Sequence, residues 1–138
     1  VSLWHNGMKI GIEAIDEDHR TLFAMLEGLN LALSDSSRVE WTLVIDLTER
    51  LGCYAQEHFW REEAIQEEVG YDGLDENRRQ HQELLRTLTA FSTRLKHEPD
   101  TDPHRTAETM RSFLTVWVTE HIVKVDCKMR GRILPWCG

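Results

Sequence analysis

The sequence predicts an all-α protein, an antiparallel up-down four-helix bundle with an extended N-terminal arm. Three observations carry that prediction. Apolar residues recur at spacings of three and four through four long segments. Short stretches rich in Gly, Pro, Ser and Asp separate those segments. No stretch alternates apolar and polar residues as a half-buried strand would. A chain of 138 residues suffices for one domain with its own core, read as an arm over 1–15, a bundle over 16–130 and a tail over 131–138.

In the arm, Gly7 and Gly11 interrupt any helical period, while Trp4, Ile10, Ile12 and Ile15 provide apolar side chains to pack against the bundle. Asp16 has the residue type of an N-cap, and Glu17 and Asp18 suit the positive end of a helix dipole; the first helix runs to about Leu33. Ser34 to Ser37 form a turn. The second helix is expected from near Arg38 to Val69, about thirty residues and so on the order of 45 Å, with Gly70 as its C-terminal cap. After the loop YDGLD, Asp75 is the expected N-cap of a third helix over Glu76 to Lys96. The loop HEPDTDP, punctuated by Pro99 and Pro103, leads into the last helix, whose first turn can hold Pro103 and which extends to about Arg130.

Polar residues interrupt the apolar stripes at comparable places. The second helix carries Val44, Leu47, Leu51, Tyr54, Ala55, His58, Glu62, Ile65 and Val69 on one face, so the Glu62 carboxylate points toward a core. A carboxylate buried there needs a proton, a cation or a metal for company. His19 lies in the stripe Ile15, Leu22, Phe23, Leu26, Leu29; His81 lines up with Leu84, Leu85, Leu88 and Phe91; His121 follows Met110, Phe113, Leu114 and Trp117, with Asp126 five residues on. When the helices alternate in direction, His19, His58, Glu62, His81, His121 and Asp126 all fall at one end of the bundle. Imidazoles with carboxylates able to bridge are a ligand set for two iron or manganese ions, rather than for zinc in a thiolate site or calcium in an all-oxygen one. His121 and Asp126, at i and i+5, lie ~140° apart on a regular helix. Either each approaches the metals from a flank or a π-type irregularity intervenes; the flanking geometry is the one expected.

The formal charge of −8 and pI near 5.3 argue against nucleic acid or an anionic membrane as a partner, and no apolar run is long enough for a membrane span or signal peptide. Cys53, Cys127 and Cys137 form an odd set without CxxC spacing, which suits reduced thiols in a cytoplasmic compartment. Val1 in place of Met fits a processed protein or a domain cut from a longer one.

The arm with Trp4 and Gly11, the segments 15-IDEDHRTLF-23, 58-HFWREE-63, 70-GY-71, 81-HQELL-85 and 121-HIVKVD-126, taken in order, resemble the bacterial hemerythrins over essentially the whole chain. That resemblance implies a four-helix bundle around two non-haem iron ions, with a bridging oxo or hydroxo group, that binds O2. It implies His19 and His58 on the iron that receives O2, His81 and His121 on the second iron, and Glu62 and Asp126 as bridges. The sequence departs from the family at Asn77, where the fifth histidine of the set would stand one turn before His81. There the amide serves as a weak ligand or as a hydrogen-bond partner of a coordinated water, leaving the second iron deficient. Faster autoxidation, and reactivity toward peroxide or NO, are then expected. Gln66 and Asp72 stand where bacterial relatives carry Met and Pro.

The remaining candidates have plainer readings. His5, His97 and His104 fit solvent exposure, Cys127 a packing role, and Glu63, Glu67 and Glu68 solvated charge. Trp60, Trp117, Phe59, Tyr54 and Phe23 fit core or pocket wall. The leading functional expectation is an O2-binding domain for sensing, delivery or storage, coupled to a signalling domain beyond this chain. The competing one is a di-iron enzyme acting on O2, peroxide or NO. A bundle that merely stores iron fits less well, because such sites are dominated by carboxylates and this one by histidines.

Overall fold

Asp16 shows how the arm and the bundle are joined in the computed structural model, which describes residues 3–97 and 102–130. The expected N-cap is instead a residue of the helix's first turn, because α1 (Glu13–Ala32) begins three positions earlier, with Ile12 at the cap and no side-chain cap bond. Asp16 is buried, and its carboxylate accepts the backbone N–H groups of Ile10 at 2.8 Å and Gly11 at 3.1 Å. Those donors belong to the arm, so the carboxylate fastens it to the helix. Gly11 has φ +96°, a conformation that side chains with a Cβ rarely adopt.

The second helix, α2 (Trp41–Glu68), starts three residues later than expected. It ends in a Schellman turn: Tyr71 N–H bonds Gln66 O at 2.8 Å, Gly70 N–H bonds Glu67 O at 3.2 Å, and Gly70 has φ +66°. The third, α3 (Leu74–His97), takes Asp75 and Glu76 into its first turn, so Asp75 is not its cap. The fourth, α4 (Pro103–Glu120), has Pro103 at its start and Asp102 at its N-cap, with the Asp102 side chain accepting from Arg105 N at 3.1 Å. A π turn over His121–Val125 and a 3-10 turn over Asp126–Met129 continue it. Among the described residues there is no strand, and no helix is long and apolar enough to cross a membrane. The tail 131–138, including Cys137, together with Pro99 and the His97 side chain, lies outside the described residues.

Chain neighbours pack side by side, α1 on α2, α2 on α3 and α3 on α4, and α4 returns to α1 to close the bundle. The main core is built from Phe23, Leu26, Leu29, Val44, Leu51, Leu84, Leu88, Met110 and Leu114. A smaller cluster of Ile10, Ile12, Ile15 and Met129, flanked by Ile65, Val69 and Tyr71, lies beyond the histidine level along α1, α2 and the C-terminal turns. Burial of each large aliphatic side chain contributes about 1.5–3 kcal/mol, and the two clusters enclose the polar residues between them. Trp60 departs from the expectation of a core or wall residue: it is 63% exposed. Two positions from both His58 and Glu62, it stands about 200° around the helix from the face they share.

Candidate metal centre

Four helical segments each deliver histidine or carboxylate to the same buried level. His19 comes from the first half of α1, His58 and Glu62 from the second half of α2, His81 from the start of α3, and His121 and Asp126 from the π and 3-10 turns. All six are buried, with exposures between 0 and 4%.

Glu62 and Asp126 lie between two pairs of imidazoles. Glu62 Oε2 is 3.3 Å from His58 Nε2 and 3.6 Å from His19 Nε2, while Oε1 is 3.3 Å from His81 Nε2. Asp126 Oδ2 is 3.1 Å from His19 Nε2, and Oδ1 is 3.1 Å from His121 Nε2. Each carboxylate thus offers one oxygen to each histidine pair. Two donor sets result, His19–His58–Glu62–Asp126 and Glu62–His81–His121–Asp126, each with one atom per residue, all within 4.8 Å of one another.

The π turn makes that arrangement possible at i and i+5. Asp126 N–H bonds His121 O across five residues, so the turn holds one residue more than an α turn and both side chains face inward. The expected flanking approach on a regular helix is replaced by this local widening.

Asn77, 1% exposed, adjoins the second set. Its Nδ2 donates to Glu62 Oε1 at 3.0 Å, and its Oδ1 is buried without a hydrogen-bond partner among the described residues. Gln66 is fully buried at the same end, with Nε2 3.1 Å from Met129 Sδ.

Three histidines are held at Nδ1 by side chains whose part spacing along one helix did not reveal. His58 Nδ1 faces Asp18 Oδ2 at 2.9 Å, His81 Nδ1 faces Glu63 Oε2 at 2.7 Å, and His121 Nδ1 faces Gln80 Oε1 at 2.8 Å. Glu63 is therefore not the freely solvated charge expected of it; its side chain is 19% exposed. Two rings are also held face-on, Phe59 stacking on His81 at 3.7 Å and Trp117 on His121 at 4.5 Å.

Burial pushes the Asp18 carboxyl upward, but hydrogen bonds from His58, Arg61 and Tyr54 outweigh it and hold the group well below the usual carboxylate range. Burial likewise disfavours the charged form of His19, yet the Asp126 and Glu62 carboxylates beside it raise it to about 10. His58 is raised by Asp18 and Glu62 against the same desolvation. Burial raises the Glu62 carboxyl, but the imidazoles of His19, His58 and His81 beside it hold it well below its ordinary value. Asp126 is lowered by His121 and His19 against both burial and the Glu62 charge. In metal-free protein the donors neutralise one another only through proton sharing.

That sharing is incomplete. Both nitrogens of His19, Glu62 Oε2 and both oxygens of Asp126 are buried and lack a hydrogen bond of acceptable geometry among the described residues. Orphaned polar atoms of this kind are rare in folded interiors, and here Glu62 Oε2 and Asp126 Oδ2 lie within 3.6 Å of His19 Nε2, all three being metal-donor types. The residues fit a pair of cations.

The sequence matches the family model of the hemerythrin HHE cation binding domain over residues 10–132. The chain belongs to the hemerythrin family. Hemerythrins bind O2 at a non-haem di-iron centre, and the two donor sets are able to hold two metal ions. The chain is 27% identical to a bacteriohemerythrin of Clostridium acetobutylicum over 125 residues, covering 90% of this chain and 95% of that protein. It is 28% identical to a bacteriohemerythrin of Stenotrophomonas maltophilia over 120 residues, 87% of this chain and 73% of that one. Identity to a myohemerythrin of Theromyzon tessulatum is 25% over 130 residues, covering 94% and 92%. In this hemerythrin the histidine-rich level lies between apolar residues of the smaller cluster on one side and of the main core on the other.

Proposed function

We propose that this hemerythrin holds one iron ion between His19 and His58 and a second between His81 and His121, that Glu62 and Asp126 bridge them, and that the domain binds O2 for sensing, delivery or storage. The observation that carries this reading is the pair of buried donor sets sharing two carboxylates, with orphaned donor atoms turned toward each other. When bound, the iron pair supplies the two electrons that O2 binding draws on. The residues supply the rest. Glu63 and Gln80 orient His81 and His121, stacking by Phe59 and Trp117 restrains the same two rings, and Phe59 and Ile122, 3% and 2% exposed, keep bulk water away.

Asn77 sets this chain apart within the reading. Among the described residues no third imidazole joins His81 and His121, and the Asn77 amide donates to Glu62 Oε1, drawing on a lone pair that would otherwise serve the metal on that side. With fewer protein donors on that side, a bound metal would be more open to water and to a second exogenous ligand, which would favour autoxidation. The same observation supports a second reading, an enzyme acting on O2, peroxide or NO.

Protein loaded with ferrous iron under argon and then exposed to air tests both. Two irons per chain with a visible charge-transfer band that reverses under vacuum supports O2 binding. Irreversible passage to the ferric form supports a redox sensor, and repeated turnover with an added reductant supports the enzyme. Absence of stoichiometric iron would end the reading.

A further inference from the structure

Asp18 precedes His19 in the chain but serves a different histidine. Its Oδ2 faces His58 Nδ1 at 2.9 Å and accepts Arg61 Nε at 2.8 Å; its Oδ1 accepts Tyr54 Oη at 2.7 Å and Arg61 Nη2 at 2.9 Å. The Asp18 side chain is 7% exposed. A carboxylate paired with a guanidinium can only accept. The hydrogen therefore sits on His58 Nδ1, which leaves Nε2, 3.3 Å from Glu62 Oε2, as the nitrogen available to a metal.

The other histidines of the centre are held differently. Glu63 faces His81, but its further ion pair is a single Arg78 Nε contact at 3.2 Å. His121 has the neutral Gln80, and His19 Nδ1 has no hydrogen-bond partner among the described residues. Asp18 is the most restrained of these carboxylates, since each of its oxygens has two partners and it cannot turn from His58 without breaking bonds to Arg61 and Tyr54. Arg61 also lies over the Tyr54 ring, 5.6 Å from its centroid. The partner on the outer nitrogen of a ligating imidazole fixes its tautomer and orientation and strengthens it as a donor.

We infer that Asp18, clamped by Arg61 and Tyr54, is the positioning residue for His58, and that it governs retention of the metal at the His19–His58 position while leaving the His81–His121 position to Glu63. This rests on the two-metal reading above.

The test uses the full chain loaded with cobalt(II) under argon, with cobalt counted per chain, its visible d–d absorption recorded, and its release to a chelator followed in time. Asp18→Asn is expected to accelerate departure of one ion about 10–100-fold, leave the other at the unaltered chain's rate, and shift the d–d bands. Glu63→Gln is expected to accelerate the other ion instead. Arg61→Gln removes a tie between α1 and α2 but leaves His58 its acceptor; it is expected to lower the melting temperature of the metal-free protein without the release rate of Asp18→Asn. If Asp18→Asn does not fold, Asp18→Glu, which displaces the carboxylate by one methylene, is expected to show the same selective acceleration. Release of both ions at unaltered rates, or equal acceleration of both, would overturn the inference. An unaltered chain that fails to bind two cobalt ions would remove the two-metal reading and this inference with it, whereas normal loading without a selective effect removes this inference alone.

Discussion

Asn77 donates its side-chain amide to Glu62 Oε1 at 3.0 Å, the oxygen that also lies 3.3 Å from His81 Nε2. One lone pair of the carboxylate is thereby engaged on the side of His81 and His121. Position 77 is one turn before His81 on the same face of α3, so Asn77→His would bring an imidazole to that side and release Oε1. Release of the more labile iron under argon is expected to slow about ten-fold or more, and air oxidation of the reduced protein to slow with it. Chelator competition and stopped-flow absorbance measure the two rates; a variant unchanged in both would show that Asn77 is not the gap in the site.

The π turn leads to a prediction about length rather than residue type. Deleting Val123, which is 46% exposed, places His121 and Asp126 four residues apart, the spacing that shares one face of a regular α-helix. That variant is expected to retain two metal ions per chain with a regular helix through the site. Inserting one alanine after Val123 should instead turn Asp126 away and abolish loading. Metal analysis beside far-UV circular dichroism separates the two cases, and loss of metal in the deletion would mean that the widened turn is itself required.

Asp16 joins the arm to α1 through two backbone donors. In Asp16→Ala the N–H groups of Ile10 and Gly11 lose their acceptor; for a buried donor the expected cost is about 1–3 kcal/mol. Denaturant unfolding reads the loss of stability. Hydrogen exchange should rise first at Ile10 and Gly11, and unchanged protection there would show that apolar packing alone holds the arm.

Gly70 has φ +66°, and a Cβ added there meets no atom within 4 Å. The penalty of Gly70→Ala is therefore one of backbone conformation, about 1–2 kcal/mol. Urea unfolding of the metal-free protein should show a lower midpoint with an unchanged slope. No shift would mean that the end of α2 relaxes to another turn.

Much of the centre was legible because each of its main residues obeys a rule internal to one helix. His58 and Glu62 share a face by their spacing, and His19, His81 and His121 sit on apolar stripes, so alternating helix direction suffices to gather them. Element ends were less legible: Asp16 and Asp75 have the residue type of caps, yet Asp16 serves the arm and Asp75 lies inside α3. Trp60 is exposed despite its hydrophobicity, which is silent about the face a residue occupies.

By itself the sequence determined four amphipathic helices, the six side chains that converge between them and the amide at position 77, because period and residue type are properties of the chain. Tertiary structure alone decided the pairing of Asp18 with His58, Glu63 with His81 and Gln80 with His121, and the widening of the turn after Glu120. Those contacts cross helix interfaces, where a rotation of a few tens of degrees about either axis selects the partner. That rotation is set by packing of the whole core rather than by any spacing along one helix.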